Sequence, residues 1–309
     1  VNVSPTAGAA VVPGSAHAWL LASRPATLPA AAVPVLVGTA AAVGKGAAFR
    51  PFVFAATFVA ALLIQVGTNF ANDYSDFHRG ADDEGRLGPT RVSQSGLLTH
   101  GAVRRGIVVA FGAATLVGWY LVWEGGWPIV AIGVLAILSG LAYTGGPWPF
   151  GYHGLGDVFV FVFFGLVAVT GSAYLQAGAW DGLALAAAVP VGLLVTNILV
   201  VNNLRDLPTD RAAGKRTLAV RIGDRATRVQ YALFAAFAYA VPAALALTAP
   251  RRPWLLLPWL SAPLGLRLTR QVLGSLAGRE LNHFLKRTAQ LLLLFGMLLV
   301  AGLLADRVH

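Results

Sequence analysis

PFVFAATFVAALLIQVGTNFANDYSD, residues 51–76, decides how this chain folds. Residues 51–71 carry no charged side chain. A helix of that length rises about 30 Å, the thickness of a bilayer's hydrocarbon core. The run then enters NDYSDFHRGADDE, residues 72–84, where five carboxylates fall within thirteen residues. The whole chain of 309 residues has only 13 Asp plus Glu. An apolar helix that delivers scarce acids to one membrane surface needs a reason for gathering them there.

Composition makes the membrane reading general. The chain is 57% hydrophobic and 12% charged, with a mean hydropathy of +0.69. Soluble domains carry about 25% charged residues. We read nine transmembrane spans near 19–43, 50–72, 102–123, 127–144, 156–176, 181–203, 226–248, 253–273 and 284–305. They form one all-α bundle of nine transmembrane helices, a single domain over 19–309 behind a disordered tail at 1–18 that lacks the basic start of a signal peptide. The connections 73–101, 204–225 and 274–283 are long and polar. The first two are cap loops, after the second and sixth spans. Prolines 25, 29, 34 and 190 fall inside spans, as kinks that neighbouring helices can satisfy. Trp119, Trp123 and Trp127 read as interfacial belt residues.

The net charge of +10 points to topology and not to nucleic acid. With the N-terminus cytoplasmic, only Lys45, Arg50, Arg251, Arg252 and Arg307 fall outside, and the other 18 basic residues fall on the cytoplasmic side. That follows the positive-inside rule for a plasma or inner membrane protein. Cys is absent, which excludes disulfides and thiolate-bound metals.

The acids fall into two groups on the same side. Asn72, Asp73 and Asp76 align with Asn202, Asn203 and Asp206, and the second group continues to Asp210. Each group ends an even-numbered span, four helices apart, the mark of an internal repeat. Residues four apart share a helical face. Asn69, Asn72, Asp73 and Asp76 therefore line one face if the second span runs past the membrane surface, and Asn202, Asp206 and Asp210 line one face of the sixth. Facing rows of acids need cations between them. Oxygen donors without Cys or paired His suit Mg²⁺, which binds through one or two carboxylates plus substrate phosphates. Arg79, Arg86 and Arg91 follow the first group, and Lys215, Arg216 and Arg221 the second. Acids, a metal and then bases make a diphosphate site. AAGKRT, residues 212–217, mimics the end of a Walker loop but lacks its first Gly and its strand–turn–helix setting.

NDYSDF, GPTRVSQSGLL (88–98) and NNLRDLPTDRAAGKRTLAVRIG (202–223) resemble the two aspartate-rich motifs of the UbiA superfamily of intramembrane prenyltransferases. ASRPATLPAAAVPVLVG (22–38) and YTGGPWPFGYHGLGDVFVFVFFG (143–165) agree with it. The nearest likeness is to the 1,4-dihydroxy-2-naphthoate polyprenyltransferases of menaquinone biosynthesis. The resemblance implies a Mg-dependent aromatic prenyltransferase. It would transfer a polyprenyl group from polyprenyl diphosphate to 1,4-dihydroxy-2-naphthoate, with loss of CO₂ and diphosphate, giving demethylmenaquinol without a redox cofactor.

It implies that Asn72, Asp73, Asp76, Asp206 and Asp210 hold Mg²⁺, and that Asn69, Arg79, Arg91, Asn202, Lys215 and Arg216 bind substrate. Arg24 would meet the acceptor carboxylate, and Tyr143 would face the allylic cation. His153 would assist proton removal, with Asp157 orienting it or capping the fifth span. The prenyl tail would run along FVFVFFGLV, residues 159–167. The chain departs from the pattern at Gly80, where an acid four after Asp76 is absent and Asp82 is the next, and at Pro147 and Trp148, where some relatives have a Lys.

Two other readings compete. A different acceptor (4-hydroxybenzoate, homogentisate or a tetrapyrrole) would leave the diphosphate half unchanged. A transporter built from repeats would place its polar residues at midplane on broken helices, whereas here the acids lie at one face.

Overall fold

The computed structural model describes residues 11–79, 87–88, 91–248 and 252–305. Among them every regular element is helical. Six helices are long and apolar enough to cross a membrane, or seven if a bent pair near the N-terminus is one span.

That bent pair is α1 (Ala16–Ser23) and α2 (Pro29–Gly44), which meet at 53°. The single span expected over 19–43 is thus broken. Pro25 and Pro29 cannot donate to the preceding turn, so each starts a new helical segment. Arg24, just before Pro25, is the only non-glycine described residue with positive φ, at φ 51° and ψ 70°. Of the expected tail over 1–18, residues 1–10 lie outside the described residues; in the rest Ser15 caps α1, and Ala18 is buried against Phe70, Val92, Leu98 and Val103.

The next helix, α3 (Pro51–His78), continues without a break from the apolar run through Asp76. Thr99 caps α4 (His100–Gly125) by accepting the Ala102 N–H, and Gly126, at φ 70°, turns the chain into α5 (Trp127–Ala142). The fifth apolar stretch is composite: α6 (Gly156–Val160), a π-helical stretch over Phe161–Val167 and α7 (Ala168–Ala177). Where π-helix widens the ladder, Gly165 approaches α8 so closely that a Cβ there would lie 2.6 Å from the Gly192 Cα.

The central helix, α8 (Gly182–Ala212), is capped by Asp181 and is buried along most of its length. After the short α9 (Leu218–Ile222) come α10 (Asp224–Thr248), a 3₁₀ stretch over Pro253–Ser261 leading into α11 (Ala262–Leu273), and α12 (Leu281–Ala305). The two polar stretches expected as cap loops are therefore partly helical, because α3 and α8 carry their motifs on the helix itself.

The main core joins α2, α7, α8, α10 and α12. The opposite half, around α3, α4 and α5, is less tightly filled and encloses a cavity of about 410 Å³. Trp119, Trp123 and Trp127 point outward, 69–87% exposed, as a lipid-facing belt requires.

Candidate active site

The two motifs meet at one ammonium. Lys215 Nζ lies 3.4 Å from Asp76 Oδ1 and 3.9 Å from Asp210 Oδ1. Asp76 comes from the end of α3 and Asp210 from the end of α8. The loop after α8 turns Lys215 back, with its N–H donating to the Asp210 carbonyl.

Asp76 is 2% exposed and carries several donors. Arg91 Nη2 approaches its Oδ2 at 2.5 Å, and Tyr152 donates its hydroxyl to Oδ1 at 2.6 Å. The Tyr152 ring lies 4.6 Å beneath Lys215 Nζ and 5.8 Å from the Arg79 guanidinium. Such placement over an aromatic face holds a cation in position. Arg79 also donates to the Gly146 carbonyl. Arg216 has an exposed side chain, and its main-chain N–H donates to the Tyr152 carbonyl. Asp82 and Arg86 lie outside the described residues.

Asp206 is gripped side-on by its neighbour. Arg205 Nε donates to Oδ1 at 2.7 Å and Nη2 to Oδ2 at 2.5 Å. The same guanidinium, 1% exposed, donates to Asn202 Oδ1 and to Asn282 Oδ1 of α12. A carboxylate has about four lone-pair directions, so this fork leaves Asp206 further acceptor capacity. Asn72 accepts the Thr144 hydroxyl at 2.9 Å, which brings the turn after α5 against the first motif.

Two of the expected site residues have partners within the protein. Asp73, expected as a metal ligand, accepts the main-chain N–H groups of Val92 and Ser93 at 3.2 and 3.0 Å. It fixes the turn that presents Arg91 to Asp76 and is not among the acids at Lys215. Asn69, expected to bind substrate, donates to the Ser23 carbonyl and to Thr27 Oγ1. With Gln65, which also donates to Thr27, it pins the break that presents Arg24. Of the two readings of Asp157, as a partner of His153 or a cap of the fifth span, its place in the first turn of α6 accords with the second. His153 stacks on Trp148, while Asp157 Oδ1 accepts from Gln230.

Tyr143 joins the polar site to the cavity. It follows α5 and lines the cavity with Phe150, Phe159, Phe163 and Ile64. Its carbonyl accepts the Gly151 N–H, which sets it beside Tyr152, the residue that donates to Asp76. Polar acids and bases thus stand at one end of an apolar channel that runs along α5 to Ile129.

A helical membrane bundle with charge-pairing acids from two helix ends, set over an apolar channel, defines a class: enzymes that hold an amphiphile's charged head beside its oily tail. The chain belongs to the UbiA prenyltransferase family, whose model matches residues 31–288. It is 42% identical over 287 residues to a Mycobacterium tuberculosis 1,4-dihydroxy-2-naphthoate octaprenyltransferase, covering 93% of this chain and 96% of that one. It is 36% identical over 293 residues to the Escherichia coli protein of the same name, covering 93% and 95%. A UbiA homolog from Archaeoglobus fulgidus, solved bound to GPP and Mg²⁺, shares the fold with a TM-score of 0.61 at 13% identity, covering 92% of this chain and 99% of that one.

Sequence reasoning missed Tyr152, Arg205 and Thr144. Tyr152 was visible only as the neighbour of His153 in GYHGLGD, and the ring beneath Lys215 has no signature in spacing.

Proposed function

We infer that this chain transfers a polyprenyl group from polyprenyl diphosphate to 1,4-dihydroxy-2-naphthoate, releasing diphosphate and CO₂ and giving demethylmenaquinol. The observation that carries the reading is the convergence of Asp76 and Asp210 on Lys215, at the end of the channel that Tyr143 closes. The identity to naphthoate prenyltransferases over most of the chain supports the acceptor.

Trp127–Ala142 and Pro253–Leu273 complete a nine-span bundle when added to the seven apolar spans, with the motifs on the cytoplasmic side. Lys45 pairs with Asp181, and Arg50 with Glu124, at the other end of the bundle. These pairs neutralise two of the few basic residues assigned outside.

The residues fit Mg²⁺. The donors are all oxygens, and acids of both motifs already share one positive group, Lys215 Nζ. Asn72, Asp76, Asp206 and Asp210 would hold the ion, which when bound neutralises charge growing on the diphosphate as it leaves. Arg79, Arg91, Lys215 and Arg216 hold the diphosphate head, and Asn202 keeps Arg205 in place beside Asp206. The apolar channel takes the tail and keeps water from the allylic carbon. The Tyr143 ring face stabilises positive charge there. Arg24 holds the acceptor carboxylate until it departs.

Product masses from purified protein given Mg²⁺, a prenyl diphosphate and a panel of aromatic acceptors test this directly. Product with 1,4-dihydroxy-2-naphthoate is expected. Product with 4-hydroxybenzoate, homogentisate or a tetrapyrrole instead would move the acceptor assignment, and no prenylated product at all would refute it.

A further inference from the structure

Asp157 is 6% exposed and stands outside the diphosphate machinery. Its Oδ1 accepts from Gln230 Nε2 at 2.9 Å. Its Oδ2 is buried, and among the described residues it has no hydrogen-bond partner. The other buried acids of this region are answered: Asp76 by Arg91, Lys215 and Tyr152, Asp206 by Arg205, and Asp73 by main-chain N–H groups. A buried carboxylate oxygen left without a donor is unfavourable unless a donor arrives. Holding Gln230 explains one oxygen and needs only a neutral amide at this position.

The place of Asp157 says what the donor is. Asp157 lies in the first turn of α6, and Phe159 and Val160 of the same helix line the channel. A Cβ on the preceding residue, Gly156, would lie 3.0 Å from the Tyr143 hydroxyl. The reacting carbon belongs beside Tyr143, between the diphosphate acids and the channel. An acceptor whose carboxylate meets Arg24 would carry its neighbouring ring hydroxyl within the same small space.

We propose that Asp157 is a catalytic residue that takes the proton of the acceptor's ring hydroxyl and later returns it. This rests on the aromatic-acceptor reading above. In the forward step the hydroxyl proton moves to Asp157 Oδ2, and the O–H electrons form a ring carbonyl. The ring carbon bearing the carboxylate then bonds to C1 of the prenyl group, whose C–O bond has broken with both electrons leaving on diphosphate. The bond from ring to carboxylate breaks next. CO₂ departs, its bonding electrons restore the aromatic ring, and the ring oxygen recovers the proton from Asp157. No net proton, oxidant or reductant is required.

The test uses the full-length protein in detergent or lipid with Mg²⁺, a prenyl diphosphate and 1,4-dihydroxy-2-naphthoate. Asp157→Asn keeps an acceptor for Gln230. It should lower kcat for transfer on the order of 100-fold, the usual scale for a lost general base, while prenyl diphosphate binding stays within about threefold. Asp157→Ala should lose transfer likewise and recover at least about tenfold when formate supplies the missing base. Transfer by Asp157→Asn within about threefold of the unmodified protein overturns the proposal. So does a folded, inactive Asp157→Ala that formate does not restore, loss of prenyl diphosphate binding in parallel with transfer, or failure of both variants to fold, each of which makes Asp157 structural. If the unmodified protein itself transfers nothing to this acceptor, the functional reading fails and takes the proposal with it. If it does transfer and only the Asp157 results go the other way, the proposal alone fails.

Discussion

Asp76 holds three partners at once, and that sets its sensitivity. Its carboxylate faces Arg91, Lys215 and Tyr152 at once. Replacing it by Ala takes a carboxylate away from two buried cations, Arg91 and Lys215, and removing one partner of a buried pair costs about 3–5 kcal/mol. Asp76→Ala is therefore expected to lose both transfer and some stability. Asp210→Ala should lose transfer on the order of 100-fold with a smaller change in Tm, because Asp210 is only partly buried. Steady-state rates and thermal unfolding measured together separate the two. Equal Tm losses, or normal turnover in Asp210→Ala, would contradict the assignment.

Arg205→Lys should lower transfer about tenfold or more, since an ammonium cannot reproduce the planar fork on Asp206 and still reach Asn202 and Asn282. Turnover close to that of the unmodified protein would show the fork to be dispensable. The acids were legible because four-residue spacing is a local signal. Tyr152 was not, because its contact with Asp76 spans 76 residues. The bonds from Val92 and Ser93 to Asp73 were not legible either, because spacing shows which face a residue takes, and a carboxylate on that face serves a metal or a main-chain N–H equally well.

The elements divide along the same line. Hydropathy marks apolar length, so α3, α4, α8, α10 and α12 fall where the sequence places them. It carries no direction, so the 53° break between α1 and α2 was hidden inside one apolar stretch. The prolines showed that a kink was available. The left-handed Arg24 and the Asn69 amide that pins the break are tertiary facts. Asn69→Ala removes the donor to two part-buried acceptors, the Ser23 carbonyl and Thr27 Oγ1, and should cost roughly 0.5–1.5 kcal/mol. If the break positions Arg24, the variant should also raise KM for the naphthoate more than for the prenyl diphosphate. An even rise in both would detach the break from acceptor binding. The π-helical stretch has its own test. Gly192→Leu drives side-chain atoms into Phe161 and Gly165, and should lower stability by roughly 1–3 kcal/mol or more. An unchanged Tm would mean that α8 and the π-helical stretch are not held in close register.

The two halves of the molecule share a motif and differ in packing. The half around α8 holds the main core, while the half around α3 to α5 encloses the channel. The two aspartate motifs supply matched acids, and unequal filling leaves room for an oily tail on one side. What unites the halves is charge: Asp76 of one motif and Asp210 of the other answer one lysine, Lys215. EDTA should accordingly abolish transfer and Mg²⁺ restore it; full activity in verified metal-free protein would refute the diphosphate half of the account. The acceptor half is tested most directly by supplying 1,4-dihydroxy-2-naphthoate labelled in its carboxyl group and counting label in gas and in prenylated lipid. The account predicts label in CO₂ in proportion to diphosphate released, with none in the lipid. Label retained in the prenylated product would contradict it.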